Sequence, residues 1–263
     1  MVAAPLEAAR STPGIAAAAN ASETERQMRR VGVIADVHAN LPALIAALSE
    51  LERIGVDAIY AGGDLVGYGP HPVGVCQLLQ SRSIASAYGD HDYAVGHDLA
   101  ECGGADATAV ERELARRSLA WTRSHSDEWT REFLRGLPFD LRFTLGANRI
   151  RLMHGSPRSA REYLFEHQPT ITFEQIATES DCDVLVFGGS HRSWVGKYAG
   201  VLFVNCGSVG QPDDGDPRAA VALLELSRDG DVRASIERVP FNVLTGGGRA
   251  ADAARADTNG VAR

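Results

Sequence analysis

Five times along the chain an apolar run ends abruptly in a loop that carries aspartate or histidine. The stretches are VGVIADVHAN (residues 31–40), DAIYAGGD (57–64), SIASAYGDHD (83–92), NRIRLMHG (148–155) and DVLVFGGSHRS (183–193). Short apolar runs bounded by glycine and polar residues read as strands. In α/β folds the crevice beyond the carboxyl ends of the strands is where ligands bind. This pattern therefore predicts a sheet, or a pair of sheets, whose strand ends converge on one polar site.

The segments between these strands complete the reading. LPALIAALSELERIG (41–55) and PVGVCQLLQSR (72–82) have helical periodicity, so the first third is β-α-β-α-β with a parallel core. Residues 107–136 read as two polar helices containing Trp121 and Trp129. A hairpin around Gly146-Ala147-Asn148 follows, and the later strands are DVLVFGG, WVGKYAG, VLFVNCG, AAVALLELS and VRASIERV. The expected fold class is α/β, with two mixed sheets packed face to face and helices outside. The expected boundaries are a disordered Ala-rich tail (1–29), a folded domain (30–243) with a helical insert at about 95–137, and a disordered tail (244–263).

Composition narrows the function. The 263 residues can bury a sizeable core, and 44% hydrophobic with 23% charged residues is ordinary for a soluble protein. A net charge of −8 argues against a face for duplex nucleic acid, but not against a small phosphorylated substrate, because a bound metal reverses the local field. No apolar run is long enough for a membrane helix, and MVAAPLEAAR does not resemble a secretory signal. The four cysteines (Cys76, Cys102, Cys182, Cys206) are scattered without a CxxC pair, as expected for reduced thiols in a cytoplasmic protein.

The strand-end residues are Asp36, His38, Asp64, Asp90, His154 and His191. A single Asp or His at such a junction is usually a cap or turn residue. Their recurrence at five junctions points to a metal site. Mixed Asp/His ligation suits manganese, iron, cobalt or zinc. Six donors exceed the need of one tetrahedral ion, and two ions sharing a carboxylate would use them.

The order D-x-H (Asp36, His38), GGD (Asp64), G-D-H-D (Gly89 to Asp92), H-G (His154) and G-G-S-H (Gly188 to His191) resembles the signature of the calcineurin-like metallophosphoesterases. The resemblance runs from residue 31 to about 240. GDLVGYGPHP, HGSPRS and VNCGSVGQPDDGDPRA are similar to the small bacterial phosphodiesterase/phosphatase branch. It implies a four-layer α-β-β-α sandwich and a phosphoric ester hydrolase acting on mono- or diesters through a hydroxide held between two metals. Two divalent or mixed-valence ions are implied, Mn or Fe in preference to Zn or Co. Asp36, His38 and His191 would hold the first, Asp64 would bridge, and Asp90 and His154 would hold the second. His91 would protonate the leaving group or bind phosphate. The substrate would be a phosphorylated small molecule or phosphoprotein, with no membrane partner.

The chain departs from the family pattern where Asp90 replaces an asparagine, Gly189 a second-metal histidine and Cys206 a proline. The first two changes fall on the same metal. Three carboxylates against two divalent ions leave one net positive charge, whereas one ion leaves one net negative charge, which repels phosphate. On this ground Asp90 is expected to compensate for Gly189, with water or substrate in the vacated position. The competing reading is a phosphate- or nucleotide-binding regulatory protein with one metal and little turnover, and a structural protein with a relic site ranks third. Asn40, Tyr68, Arg158 and Arg192 are candidate substrate contacts, each weighed against loop, packing or surface roles. Asp92 reads as a support or helix cap, and His71, His97, His125 and His167 lack strand-end context.

Overall fold

Strand β1 (Arg30–Ile34) alternates cleanly, and this alternation sets the layers. Val31, Val33 and the following Ala35 point to one side, where they pack with Ile150, Leu152, Val186 and Val204 in the seam between two sheets. Ile34 points the other way, into a cluster with Leu44, Leu48 and Leu51 of helix α1 (Leu41–Ile54). The structure, a computed structural model, describes residues 29–104 and 107–242. The expected tails 1–28 and 243–263 lie outside the described residues.

The first sheet continues with β2 (Ala58–Ala61) and β3 (Ala85–Ser86), and closes with β9 (Ala219–Leu226) and β10 (Val232–Val239). Its order is β10-β9-β1-β2-β3. The pairs β1–β2 and β2–β3 are parallel, while β9 runs antiparallel to both β1 and β10. The second sheet has the order β4-β5-β6-β8-β7, from β4 (Asp140–Leu145), β5 (Asn148–Met153), β6 (Val184–Phe187), β7 (Trp194–Tyr198) and β8 (Val201–Asn205). Its centre, β5-β6-β8, is parallel, with antiparallel edges. Both sheets are mixed, as expected.

Helices cover both outer faces. Over the first sheet lie α1, α2 (Pro72–Ser81), α3 (Asp90–Gly96), α4 (Ala109–Ser124) and α5 (Glu128–Arg135). Asn40 caps α1, its side chain accepting from Ala43 N–H, and Gly55 ends it in the left-handed conformation. The three buried leucines of α1 each stabilise the fold by about 1.5–3 kcal/mol. The polar helices read at 107–136 are α4 and α5.

Over the second sheet lies α6 (Thr170–Ser180), a helix the sequence reading leaves unassigned. Phe173, Ile176 and Ala177 bury its inner face against Leu185, Phe187 and Phe203. The layer order is α-β-β-α. Among the described residues no helix is long and apolar enough to cross a membrane. All four cysteines are buried and unpaired.

Candidate metal centre

The parallel strands β1, β2 and β3 of one sheet and β5 and β6 of the other deliver their carboxyl ends to the same edge of the sandwich. Asp36, His38, Asp64 and His191 stand there with positive φ angles of 51°, 47°, 50° and 58°. Left-handed backbone at a non-glycine residue costs roughly 1–2 kcal/mol, and such strain gathers where function requires it. Here the loops brace one another. Asp36 N–H donates to Gly63 O (3.0 Å), His38 N–H to Asp64 O (2.9 Å) and Gly188 N–H to His154 O (2.9 Å).

Four of the donors are oriented by a backbone tether on the far side. Asp36 Oδ2 accepts from Gly189 N–H (2.9 Å) and Asp64 Oδ1 from His91 N–H (3.0 Å), which leaves Asp36 Oδ1 and Asp64 Oδ2 facing inward. His38 Nδ1 lies 3.2 Å from Val66 O and His154 Nδ1 lies 3.0 Å from Gly62 O. A carbonyl can only accept, so the proton sits on Nδ1 and the Nε2 lone pair is presented to the cluster.

The inward atoms form two overlapping groups, Asp36–His38–His191 and Asp36–Asp64–His154. His191 Nε2 is 2.9 Å from His38 Nε2 and 3.6 Å from Asp36 Oδ1. His154 Nε2 is 3.5 Å from Asp64 Oδ2, 3.5 Å from Asp90 Oδ1 and 3.9 Å from Asp36 Oδ1. Donors bound to one ion at about 2.1 Å lie roughly 3–3.4 Å apart at right-angled or tetrahedral corners, so a small contraction would close either group on a cation. Asp64 Oδ2 also lies 3.7 Å from His38 Nε2, the central position that the bridging assignment needs. Asp36 Oδ1 is comparably central.

Charge makes the same case. Asp36 Oδ1 and His154 Nε2 are buried and make no hydrogen bond, an expensive state unless an ion serves them. Burial raises the Asp64 carboxyl well above the usual range, with Asp90, Asp92 and Asp36 adding to the effect. Burial also raises Asp36, against the pull of His191 and His154. At His154 burial acts downward, but Asp64, Asp90 and Asp36 outweigh it and raise the imidazole. His38 is lowered by burial and by His191, His91 and His154. At Asp90 burial acts upward, but His154, His91 and Tyr163 outweigh it and hold the carboxyl low. Two buried carboxyls that resist ionising, Asp36 and Asp64, with imidazole nitrogens aimed at them, fit a bound cation.

The other candidates separate. His91 lines a cavity of about 530 Å³ beside the cluster, with Tyr68, Arg161, Tyr163 and Arg192. Burial pushes His91 down to about 4, Asp90 opposing and His154 and His191 assisting. Its Nδ1 is 3.5 Å from Cys102 Sγ. Tyr68 packs edge-on to His38, ring centroids 4.9 Å apart. Arg192 reaches the cavity but pairs with Asp213 at 2.9 Å. Two substrate-contact expectations are corrected. Asn40 does not line the cavity, because its side chain caps α1 and donates to Gly210 O (3.0 Å). Arg158 does not line it either, because Glu179 of α6 holds its guanidinium at 2.7 and 2.9 Å. Asp92 is both support and cap, accepting from Leu65, Val66 and Gly89 N–H. His97 packs at a tilt against Tyr93 and is exposed, away from the cluster.

Sequence reasoning missed Tyr163, Arg161 and Cys102, which lie in loops without a strand-end signal. The ring of Tyr163 stands where a Cβ on Gly189 would lie. Cys206, in place of proline, donates its N–H to Phe187 O (2.8 Å), a bond proline cannot make.

Comparison with known proteins places the fold in a family. The family model described as the calcineurin-like phosphoesterase superfamily domain matches residues 28–229. An uncharacterized protein of Methanocaldococcus jannaschii is 26% identical over 230 residues, covering 81% of this chain and 88% of that one. The crystal structure of a metallophosphoesterase from Sphaerobacter thermophilus aligns with a TM-score of 0.65 and 27% identity, over 90% of this chain and 96% of that one. A hypothetical protein from Pyrococcus horikoshii shares the fold, with a TM-score of 0.72 and 22% identity over 87% and 93% of the two chains. The chain belongs to the calcineurin-like phosphoesterase superfamily.

Proposed function

We propose that this chain hydrolyses phosphate mono- or diesters with two transition-metal ions held by Asp36, His38, Asp64, Asp90, His154 and His191. The observation that carries this reading is the pair of buried, unpartnered atoms Asp36 Oδ1 and His154 Nε2 at the centre of the cluster. When bound, such ions supply a nucleophile from water at neutral pH and neutralise charge developing on the phosphoryl oxygens. The residues do the rest. Asp36 and Asp64 present one tethered and one free oxygen each, so the free oxygens cannot swing away. Arg161 and Arg192 border the cavity, where a guanidinium suits phosphoryl oxygens. His91 lines the same cavity and offers the leaving oxygen a proton, and an arriving phosphoryl anion works against the depression of its pKa.

Exhaustive chelation should abolish hydrolysis of p-nitrophenyl phosphate or its bis-ester. Mn²⁺ should restore it better than Mg²⁺, because imidazole ligands favour the transition metal. Turnover that survives chelation would overturn the reading.

His91→Ala should slow hydrolysis of alkyl phosphate esters by about 10²–10⁴-fold. It should slow p-nitrophenyl esters far less, because that leaving group needs little protonation, and metal content should be unchanged. Equal losses on both ester types, or loss of metal, would remove His91 from this role.

A further inference from the structure

The ring of Tyr163 lies in a slot between two glycines. A Cβ built on Gly189 would sit 2.6 and 2.9 Å from Tyr163 Cδ1 and Cε1, and one on Gly104 would sit 2.7 Å from its Cε2. Gly189 also has φ 78°, where a side chain is strained whatever the space. The phenol therefore occupies the volume that a residue-189 side chain would enter. Restoring histidine at 189 fails on both counts, so Gly189→His is not an informative variant.

The ring meets His154 edge-on, with centroids 5.8 Å apart. Its hydroxyl donates to Asp90 Oδ1 at 2.7 Å, the same oxygen that lies 3.5 Å from His154 Nε2. Asp90 Oδ2 accepts from Gly103 N–H. Both oxygens of residue 90 thus face protein donors. An asparagine with its oxygen toward His154 would turn its NH₂ against Gly103 N–H; flipped, its NH₂ could donate to the phenol oxygen but would offer no lone pair to a cation beside His154.

Resting on the two-metal reading, we infer that Tyr163 is a positioning residue that takes the place of the side chain absent at 189. It fills that side chain's volume and holds the Asp90 carboxylate facing His154, so that Asp90 binds the second metal. The phenol acts as a neutral donor. A phenolate would add a fourth negative charge to the site and cancel the net positive charge that two divalent ions leave.

Tyr163→Phe keeps the ring in the slot and removes only the hydroxyl. Titration of the metal-free protein with Mn²⁺, followed by calorimetry, should show the tighter site unchanged and the weaker site loosened by about 10–100-fold, the usual effect of losing a hydrogen-bond partner of a ligand. At a Mn²⁺ concentration that fills both sites in wild type, the electron paramagnetic resonance spectrum should change from that of a coupled pair to that of an isolated ion. Two ions bound equally tightly by wild type and variant would overturn the inference alone. A single ion in wild type would overturn the two-metal reading and the inference with it. A second measurement follows colour: protein loaded with Fe³⁺ should lack the visible charge-transfer band of an iron-bound phenolate. A band present in wild type and lost in Tyr163→Phe would make Tyr163 a ligand and refute the neutral-donor role.

Discussion

Replacing Asp64 with asparagine is expected to lower phosphoesterase turnover by about 10³-fold, since metal polarisation is worth several kcal/mol and each tenfold in rate is 1.36 kcal/mol. The substitution is nearly isosteric, and asparagine tolerates the left-handed backbone at this position (φ 50°). The difficulty is the second heteroatom. If the amide oxygen keeps its bond from His91 N–H, the NH₂ group faces His38 and His154 with no lone pair to offer a cation. If the amide flips, the tether to His91 is lost. Metal content should fall with activity. The metal-free variant should unfold no more readily than wild type, because a buried carboxyl that resists ionisation has been removed. Activity within tenfold of wild type would show that Asp64 is not central.

Asp92→Ala should instead act on the fold. The wild-type carboxylate is fully buried and accepts three backbone N–H groups, from Leu65 (2.9 Å), Val66 (3.1 Å) and Gly89 (3.0 Å). It thereby ties the loop after β2 to the start of α3. Each buried donor left without a partner costs about 1–3 kcal/mol. The expected loss is at least about 3 kcal/mol, a large share of the 5–15 kcal/mol that typically holds a domain together. Denaturant unfolding of the metal-free protein measures it directly. A loss below about 1 kcal/mol would mean that water or a shifted loop serves those amides.

The strand-end ligands were legible because they combine two local signals: an apolar run that stops, and a carboxylate or imidazole within the next few residues. The two-sheet architecture followed from the same runs. Helix α6 was not legible, because its N-cap is Pro169, which provides no side-chain cap. Missing that helix also misplaced Arg158. Beside HGSP an arginine looks like a phosphate contact, but Glu179 on α6 takes it. Tyr163 carried no sequence signal at all. Its position depends on Gly104, Gly189 and Asp90, which are distant in the chain and become neighbours only when both sheets and their loops are in place. Asp92 was read correctly as a cap, but its two bonds to the loop after β2 depend on tertiary contact.

The central claim is that these six side chains hold two metal ions. Anomalous difference density from crystals grown with Mn²⁺ tests it most directly. Two peaks are expected, one within bonding distance of Asp36, His38 and His191, the other within bonding distance of Asp90 and His154, with Asp64 touching both. A single peak, or peaks away from these residues, would contradict the account.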